Sequence, residues 1–443
     1  MTRAWTRPEL ATRLLDGQAR IGAEPIGMVA SVMAQNRRLL QDAGVSTGSV
    51  VVVEEAGTAD FFAAVLAVWS LDAVPLPCRT VPDISLAQSA VLLDAARQVR
   101  PAASAAPTAG LDSTAVLHVT SGTTGTPKLA RRGIASVLAE AEGYRRGLTL
   151  TAEDRVYIPV PLAHSYGWGV AFGALMAGCQ LDAPPMIHPR RAAGRLDGDA
   201  TVVAVTASLA RLLAGVAGSV GTGSGPRMVM VGASQVKATL DDAFADRFGL
   251  RLARNYGSSE TGATFIGQAG LPEDAIGRPM HGVTVLAPVE GQSGELRLRL
   301  AAPVEGHLGE SGAATSEWST GDLVRQDSTG VVRFIARLRS MARLNDRSID
   351  VHGVEQALSG VPGAAGVFTL ILARPGADTE DLYAVVAGTG IDPEQVESRR
   401  ASLPDGTRSV RIVYCDSLPT APNGKIDRAR TVELVRAKWG LNG

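Results

Sequence analysis

Short apolar runs of strand length alternate with helix-length amphipathic stretches through the first 260 residues of this chain, and that alternation admits few architectures. The runs at 49–53, 115–119, 156–160, 201–205, 228–231 and 252–255 have the character of strands, several of them suited to burial on both faces. Between them, 60–71, 135–146, 209–216 and 238–248 have the length and spacing of helices packed on such a sheet. A layered α/β architecture follows. From about residue 277 the texture changes to alternating strands at 294–300 and 331–336 with turn residues around them, which predicts a small antiparallel β section. A compact α+β section closes the chain, with strands near 367–372, 382–386 and 410–414. The expected division is a large domain over 1–337 and a small one over 338–443. A GxGxG run at 218–226 precedes a strand instead of opening a helix, so it reads as a surface turn and not as a dinucleotide fingerprint.

Charge and cysteine usage narrow the function classes. With 43 basic and 44 acidic residues the net charge is −1, which gives no basis for binding nucleic acid or an anionic membrane and favours small partners. No apolar run reaches the roughly 18 residues that span a bilayer. The first ten residues carry two arginines but no apolar signal core, so the chain is expected in the cytoplasm. Cys78, Cys179 and Cys415 are far apart, and the six histidines are dispersed, which predicts neither a disulfide framework nor a protein-bound transition metal. Only four of the 43 basic residues are lysine: Lys128, Lys237, Lys425 and Lys438. Where a plain positive charge suffices this chain uses arginine, so a retained lysine points to a place that needs a compact ammonium.

The most informative segment is Thr120-Ser-Gly-Thr-Thr-Gly-Thr-Pro-Lys128. It follows a predicted strand and sets the hydroxyls of Thr120, Ser121, Thr123 and Thr124 around Gly122, with a lysine at its end. Glycine lets backbone N–H groups converge on an anion, the hydroxyls add donors, and lysine adds a point charge. Such a loop cradles phosphates. It is no Walker A loop, because Pro127 precedes the lysine and Leu129 follows it.

With its order of motifs, the sequence resembles the adenylate-forming superfamily of acyl- and aryl-CoA synthetases, peptide-synthetase adenylation domains and luciferases. The loop just described resembles the family's phosphate signature. Pro161-Leu-Ala-His-Ser-Tyr-Gly167 is similar to its histidine motif at the substrate pocket, Asn255-Tyr-Gly-Ser-Ser-Glu-Thr261 to its adenine and magnesium motif, Thr320-Gly-Asp-Leu323 to its ribose motif, and Pro422-Asn-Gly-Lys-Ile-Asp-Arg428 to its C-terminal lysine motif. The resemblance implies a large ATP- and substrate-binding domain and a small mobile lid carrying Lys425. It implies that Gly232, Ala233, Ser234, Asn255, Tyr256, Gly257, Ser258 and Ser259 line the nucleotide site. Tyr256 offers a face for a purine to stack on, Asp322 accepts from ribose hydroxyls, and Arg337 is a second ribose contact. Glu260 helps hold Mg²⁺ already bound by phosphates. His164 is the pocket-side histidine, with Ser165, Tyr166, Trp168 and Gly169 as further pocket residues. Lys425 bridges the substrate carboxylate and the α-phosphate, with Lys128 as the other cation.

Departures from the family pattern bear on the second half-reaction. Leu129 replaces a glycine, Ser259 replaces threonine, Arg339 stands at the hinge, and Asp346 stands where a glycine lines the tunnel for a thiol-carrying arm. An anionic side chain there would crowd and repel that arm. The 161–167 motif lacks the aspartate that holds an amino acid's ammonium, and the pocket candidates are mostly neutral. The expected function is therefore ATP- and Mg²⁺-dependent adenylation of a small aryl or acyl carboxylic acid, with pyrophosphate release and transfer to CoA or to the phosphopantetheine thiol of an acyl carrier protein, in secondary metabolism. One alternative is transfer from an activated acid or other oxyanion to an amine or other non-thiol acceptor. An alternative of another class is a catalytically silent nucleotide-binding homologue.

Overall fold

The computed structural model describes residues 5–79, 90–100, 108–120, 128–184, 188–216, 225–310, 313–337, 341–345, 347–374, 379–420 and 426–440. The chain divides into two compact units, one formed by Met1–Thr120 with Lys128–Ala336 and a second built on Arg337–Gly443.

In the first unit the valine-rich runs become parallel strands. Val202–Thr206 lies between Arg155–Tyr157 and Met228–Gly232, and Leu252–Ser258 follows on the other side of Met228–Gly232. Val202, Val203, Ala204 and Val205 are fully buried, as in a sheet covered on both faces. The strand expected at 156–160 stops at Tyr157, because Pro159 has no N–H to give a ladder. At Leu252–Ser258 the sheet turns antiparallel. Gly262–Gly267, Ala275–Pro279, Val332–Arg337, Thr315–Gln326, Ser293–Val304 and Val283–Ala287 continue it in that spatial order. The antiparallel section is thus joined edge to edge with the parallel one, through the strand that carries Asn255, Tyr256 and Gly257.

Three further pieces place the site. Val74–Cys78, Val50–Glu54, Ala90–Leu93 and Val99–Arg100 form a second sheet, and Thr114–Thr120 pairs with Lys128–Gly133 as a hairpin. Helix Thr58–Ser70 is buried continuously from Phe61 to Trp69, as expected of a helix apolar on every face. Trp69 donates its indole N–H to the Ala115 carbonyl at 2.8 Å and so ties that helix to the hairpin. Helix Ser165–Met176 is equally buried and packs against helix Ile134–Gly147.

The second unit has the α+β composition expected of it. Ala364–Ala373 and Glu380–Gly388 pair antiparallel, and Arg411–Cys415 adds in parallel. The unit also holds helices Val351–Ser359, Pro393–Ala401 and Arg428–Trp439 and the antiparallel pair Met341–Leu344 with Arg347–Asp350. Glu355 accepts from both the backbone N–H and the hydroxyl of Thr369 at 2.8 Å, fixing the first helix to the sheet. Among the described residues of the chain, no helix is long and apolar enough to cross a membrane.

Candidate active site

The segment expected to cradle phosphates connects the two strands of one hairpin. Thr120 and Lys128 form its last rung, with the Thr120 hydroxyl 3.4 Å from the Lys128 carbonyl oxygen. Ser121, Gly122, Thr123 and Thr124 lie outside the described residues, as do Lys425, Arg339, Asp346, the 218–224 part of the GxGxG run and the side chain of Arg337.

Lys128 and Glu260, distant in sequence, are brought into one string of charged groups. Lys128 Nζ donates to Glu310 Oε1 at 2.7 Å, the other oxygen of Glu310 lies 3.0 Å from His307 Nδ1, and His307 Nε2 lies 3.1 Å from Glu260 Oε1. Burial pushes the Glu260 carboxyl up, but hydrogen bonds from His307 and Ser258 outweigh it and hold the group below its ordinary range. The bond to Glu260 and a second one to Glu310 raise the His307 imidazole above its ordinary value. Glu310 is lowered, first by Lys128 and then by His307. An imidazole between two carboxylates is best satisfied with both nitrogens protonated, so the string alternates in sign.

The nucleotide-side residues form a second group. Tyr256 donates its phenol to Asp322 Oδ2 at 2.5 Å and meets Phe265 edge to face at 5.7 Å. Asp322 is only 2% exposed and also receives structure from Thr320, whose hydroxyl accepts from the Asp322 N–H at 3.1 Å. Asn255 donates to the Tyr144 phenol at 3.1 Å. The register shifts between Tyr256 and Gly257, and a Cβ at Gly257 would overlap the Gly262 carbonyl oxygen. Only glycine allows this approach. Ser258 and Thr261 close the turn, their hydroxyls 3.2 Å apart. Ser259 and Glu260 therefore sit in a tight turn between two paired strands.

The histidine motif caps a helix. His164 is the N-cap of Ser165–Met176, and its Nδ1 accepts from the Tyr166 N–H at 3.2 Å. In the neutral ring the proton then resides on Nε2. Ser165 and Ser259 bring their hydroxyls within 3.4 Å, joining this helix to the Glu260 turn. Tyr166 donates to the Met230 carbonyl at 2.9 Å, and its ring lies where a Cβ at Gly232 would come within 2.6 Å of it. Burial raises the phenol's pKa and keeps it neutral. Ala233, next in chain, holds φ at +68°, a left-handed conformation that costs free energy and persists where surroundings enforce it. Trp168 is a core residue: it is 1% exposed and its ring contacts Phe61, Trp69, Phe172 and His118. Gly169 faces Glu140, whose carboxylate a Cβ there would strike.

Glu140 is among the residues that sequence reasoning missed. Both it and Arg132 are buried, and they pair at 2.9 Å. The other Glu140 oxygen accepts from the Ala263 N–H at 2.7 Å, directly beneath the Glu260 turn. His118, inside the hairpin strand, is fully buried. Burial first, then Arg132 and His164, push its pKa down to about 3. His307 and Glu310 were missed as well. A polar residue in a helix or a Gly-flanked loop reads as solvent-facing when only its neighbours in sequence are considered.

Among the described residues, no group of three or more His, Cys, Asp or Glu could hold a metal ion unaided. Glu260 offers a single hard carboxylate. That suits Mg²⁺, which takes one or two carboxylates from protein and its remaining oxygens from phosphate and water.

The family model described as AMP-binding enzyme matches residues 80–301. The 2-succinylbenzoate–CoA ligase of Enterococcus faecalis is 26% identical over 342 residues, covering 72% of this chain and 69% of that one. Among solved structures, a double mutant of the o-succinylbenzoate CoA synthetase of Bacillus subtilis superposes with a TM-score of 0.72 at 16% identity, covering 96% of this chain and 98% of that one. The amide bond synthetase McbA of Marinactinospora thermotolerans gives 0.69 at 20%, covering 95% and 98%. The chain belongs to the AMP-binding enzyme family and is an adenylate-forming ligase.

Proposed function

We propose that this enzyme adenylates a small aryl or acyl carboxylic acid and then passes the acyl group to the thiol of CoA or of a carrier protein. The observation that carries the reading is the string from Lys128 to Glu260, which sets a cation at the end of the presumptive phosphate loop and a hard carboxylate at the other end of one connected site. In the first step a carboxylate oxygen attacks the α-phosphorus of ATP in line, the bond to the bridging oxygen breaks, and pyrophosphate leaves with its charge. Two anions must approach, so positioning and electrostatic stabilisation are the enzyme's main contribution. The reading assigns Lys128 to the phosphates, Tyr256 and Asp322 to the nucleoside, and Glu260 to the metal. It assigns Lys425, on its motif alone, to the reacting groups. Mg²⁺, when bound, offsets charge on the leaving pyrophosphate.

His164, Ser165, Tyr166 and Ser234 are the pocket residues proposed to face the acid, and the neutral character of this set supports an aryl or fatty acid over an amino acid. The similarity to a 2-succinylbenzoate–CoA ligase supports an aryl acid. Asp346, at a position where family members carry glycine, favours a second reading in which a non-thiol nucleophile such as an amine accepts the acyl group. Incubating enzyme, ATP and acid with CoA and separately with amines distinguishes the two. A thioester product supports the first reading, and an amide formed without thioester overturns it.

A further inference from the structure

Two of the four groups in the charged string, His307 and Glu310, have no part in the site as assigned above, yet the fold takes care to place them. They lie on a strap pinned alongside the strand that begins at Lys128. The Glu305 carboxylate receives the hydroxyls of Ser113 and Thr114 at 2.6 Å each. The Arg131 N–H donates to the Gly306 carbonyl at 2.9 Å, and the Leu308 N–H to the Leu129 carbonyl at 2.8 Å. His307 itself bridges to Ala130 in antiparallel fashion. Gly306 and Gly309 hold φ at +71° and +84°, so the strap can turn sharply on both sides of the histidine. The imidazole is consequently fixed to the same strand as the lysine.

Burial is uneven along the string. The side chains of Glu260 and His307 are 18% and 17% exposed, whereas those of Lys128 and Glu310 are 37% and 49% exposed. The sheltered end is held, and the open end can exchange partners. A phosphate that takes up Lys128 must first separate it from Glu310. The Glu310 carboxylate then stays held at its other oxygen by His307 Nδ1 at 3.0 Å.

We propose that His307 and Glu310 are positioning residues of the adenylation site. Glu310 parks Lys128 until a phosphate replaces it, and His307 aims the Glu260 carboxylate at the metal. This rests on reading Lys128 and Glu260 as the phosphate- and magnesium-facing groups.

The test uses the full chain and reads binding as well as turnover. ATP affinity is measured by titration calorimetry with Mg²⁺ removed by chelator and across a Mg²⁺ series, for wild type, Glu310→Gln, His307→Ala and His307→Gln. An exposed ion pair stabilises its geometry modestly, so Glu310→Gln, which releases Lys128, is expected to tighten Mg²⁺-free ATP binding about two- to fivefold. Residues that orient a metal ligand typically change metal affinity by ten- to a hundredfold. His307→Ala is therefore expected to raise the Mg²⁺ concentration for half-maximal ATP binding about tenfold without weakening Mg²⁺-free binding. His307→Gln, which keeps a donor toward Glu260, is expected to recover part of that shift, and it stands in for the alanine variant if the latter fails to fold. An unchanged Mg²⁺ requirement in both histidine variants, or weaker ATP binding in Glu310→Gln, overturns the proposal. If the variants show these binding shifts while the wild-type chain exchanges pyrophosphate with no acid, the functional reading is overturned and the positioning roles stand.

Discussion

At the scale of single residues, two side chains carry consequences that can be measured without knowing the substrate. His118 has an ordinary pKa of 6.5 and is held down to about 3 by burial and by neighbouring Arg132 and His164. Between those values the unfolded chain binds a proton that the native chain excludes, so this group lowers stability as pH falls from 6.5 toward 3. His118→Phe keeps an aromatic edge against Trp168 and removes the titration. Its thermal midpoint is expected to decline less steeply than that of wild type over this pH range, and parallel curves for the two proteins contradict the assignment. Asp322 is the second such residue. It takes the Tyr256 phenol and, in the proposed role, the ribose hydroxyls. A hydrogen bond to a charged group contributes about 1.5–3 kcal/mol, so Asp322→Ala is expected to weaken ATP binding by about tenfold or more in calorimetry. Unchanged affinity removes Asp322 from the ribose site.

At the scale of elements, the Glu260 turn depends on what lies beneath it. Glu140, on helix Ile134–Gly147, accepts from the Ala263 N–H and pairs with the buried Arg132. Removing one partner of a buried pair leaves an uncompensated charge and costs about 3–5 kcal/mol. Glu140→Ala should lose that much in denaturant unfolding, whereas Glu142→Ala, on an exposed side chain of the same helix, should lose under about 1 kcal/mol. Equal losses would show that the pair does not anchor the turn. Gly257→Ala pushes a methyl group into the Gly262 backbone and must open the paired strands, at a cost of about 1–3 kcal/mol. The sequence made the strands and their loops readable, because glycine, proline and valine act locally. Tyr256, Asp322, His164 and Lys128 were singled out as candidates for the same reason, each lying in a compact motif. His307, Glu310 and Glu140 were not. Their partners come from distant segments, and a lone acid or histidine in a loop or amphipathic helix carries no local mark of what it meets. Trp168, named for its place beside the histidine motif, is 1% exposed and packed against Phe61, Trp69, Phe172 and His118, contacts that no local pattern announces.

At the scale of the whole molecule, the scarcity of lysine gains a physical meaning. Arginine supplies the surface and structural cations, among them Arg7, which is buried and holds Asp72 at 2.9 Å, and Arg132. Of the four lysines, Lys128 stands at the end of the 120–128 loop and Lys425 in the C-terminal motif, while Lys237 precedes helix Ala238–Phe248 and Lys438 lies in helix Arg428–Trp439. The three-group string that meets Lys128 is assembled from the Glu260 turn and from the strap carrying His307 and Glu310. In the function proposed above, the first half-reaction needs Lys128, Glu260 and Asp322 and, on its motif alone, Lys425. ATP–pyrophosphate exchange across a panel of aryl, acyl and amino acids, run on wild type and Lys425→Ala, tests that claim most directly. The account predicts acid-dependent exchange in the wild type, strongest with a neutral aryl or acyl acid, and its loss in Lys425→Ala with ATP binding retained. Exchange that persists in Lys425→Ala, or a wild type that exchanges with no acid at all, would contradict it.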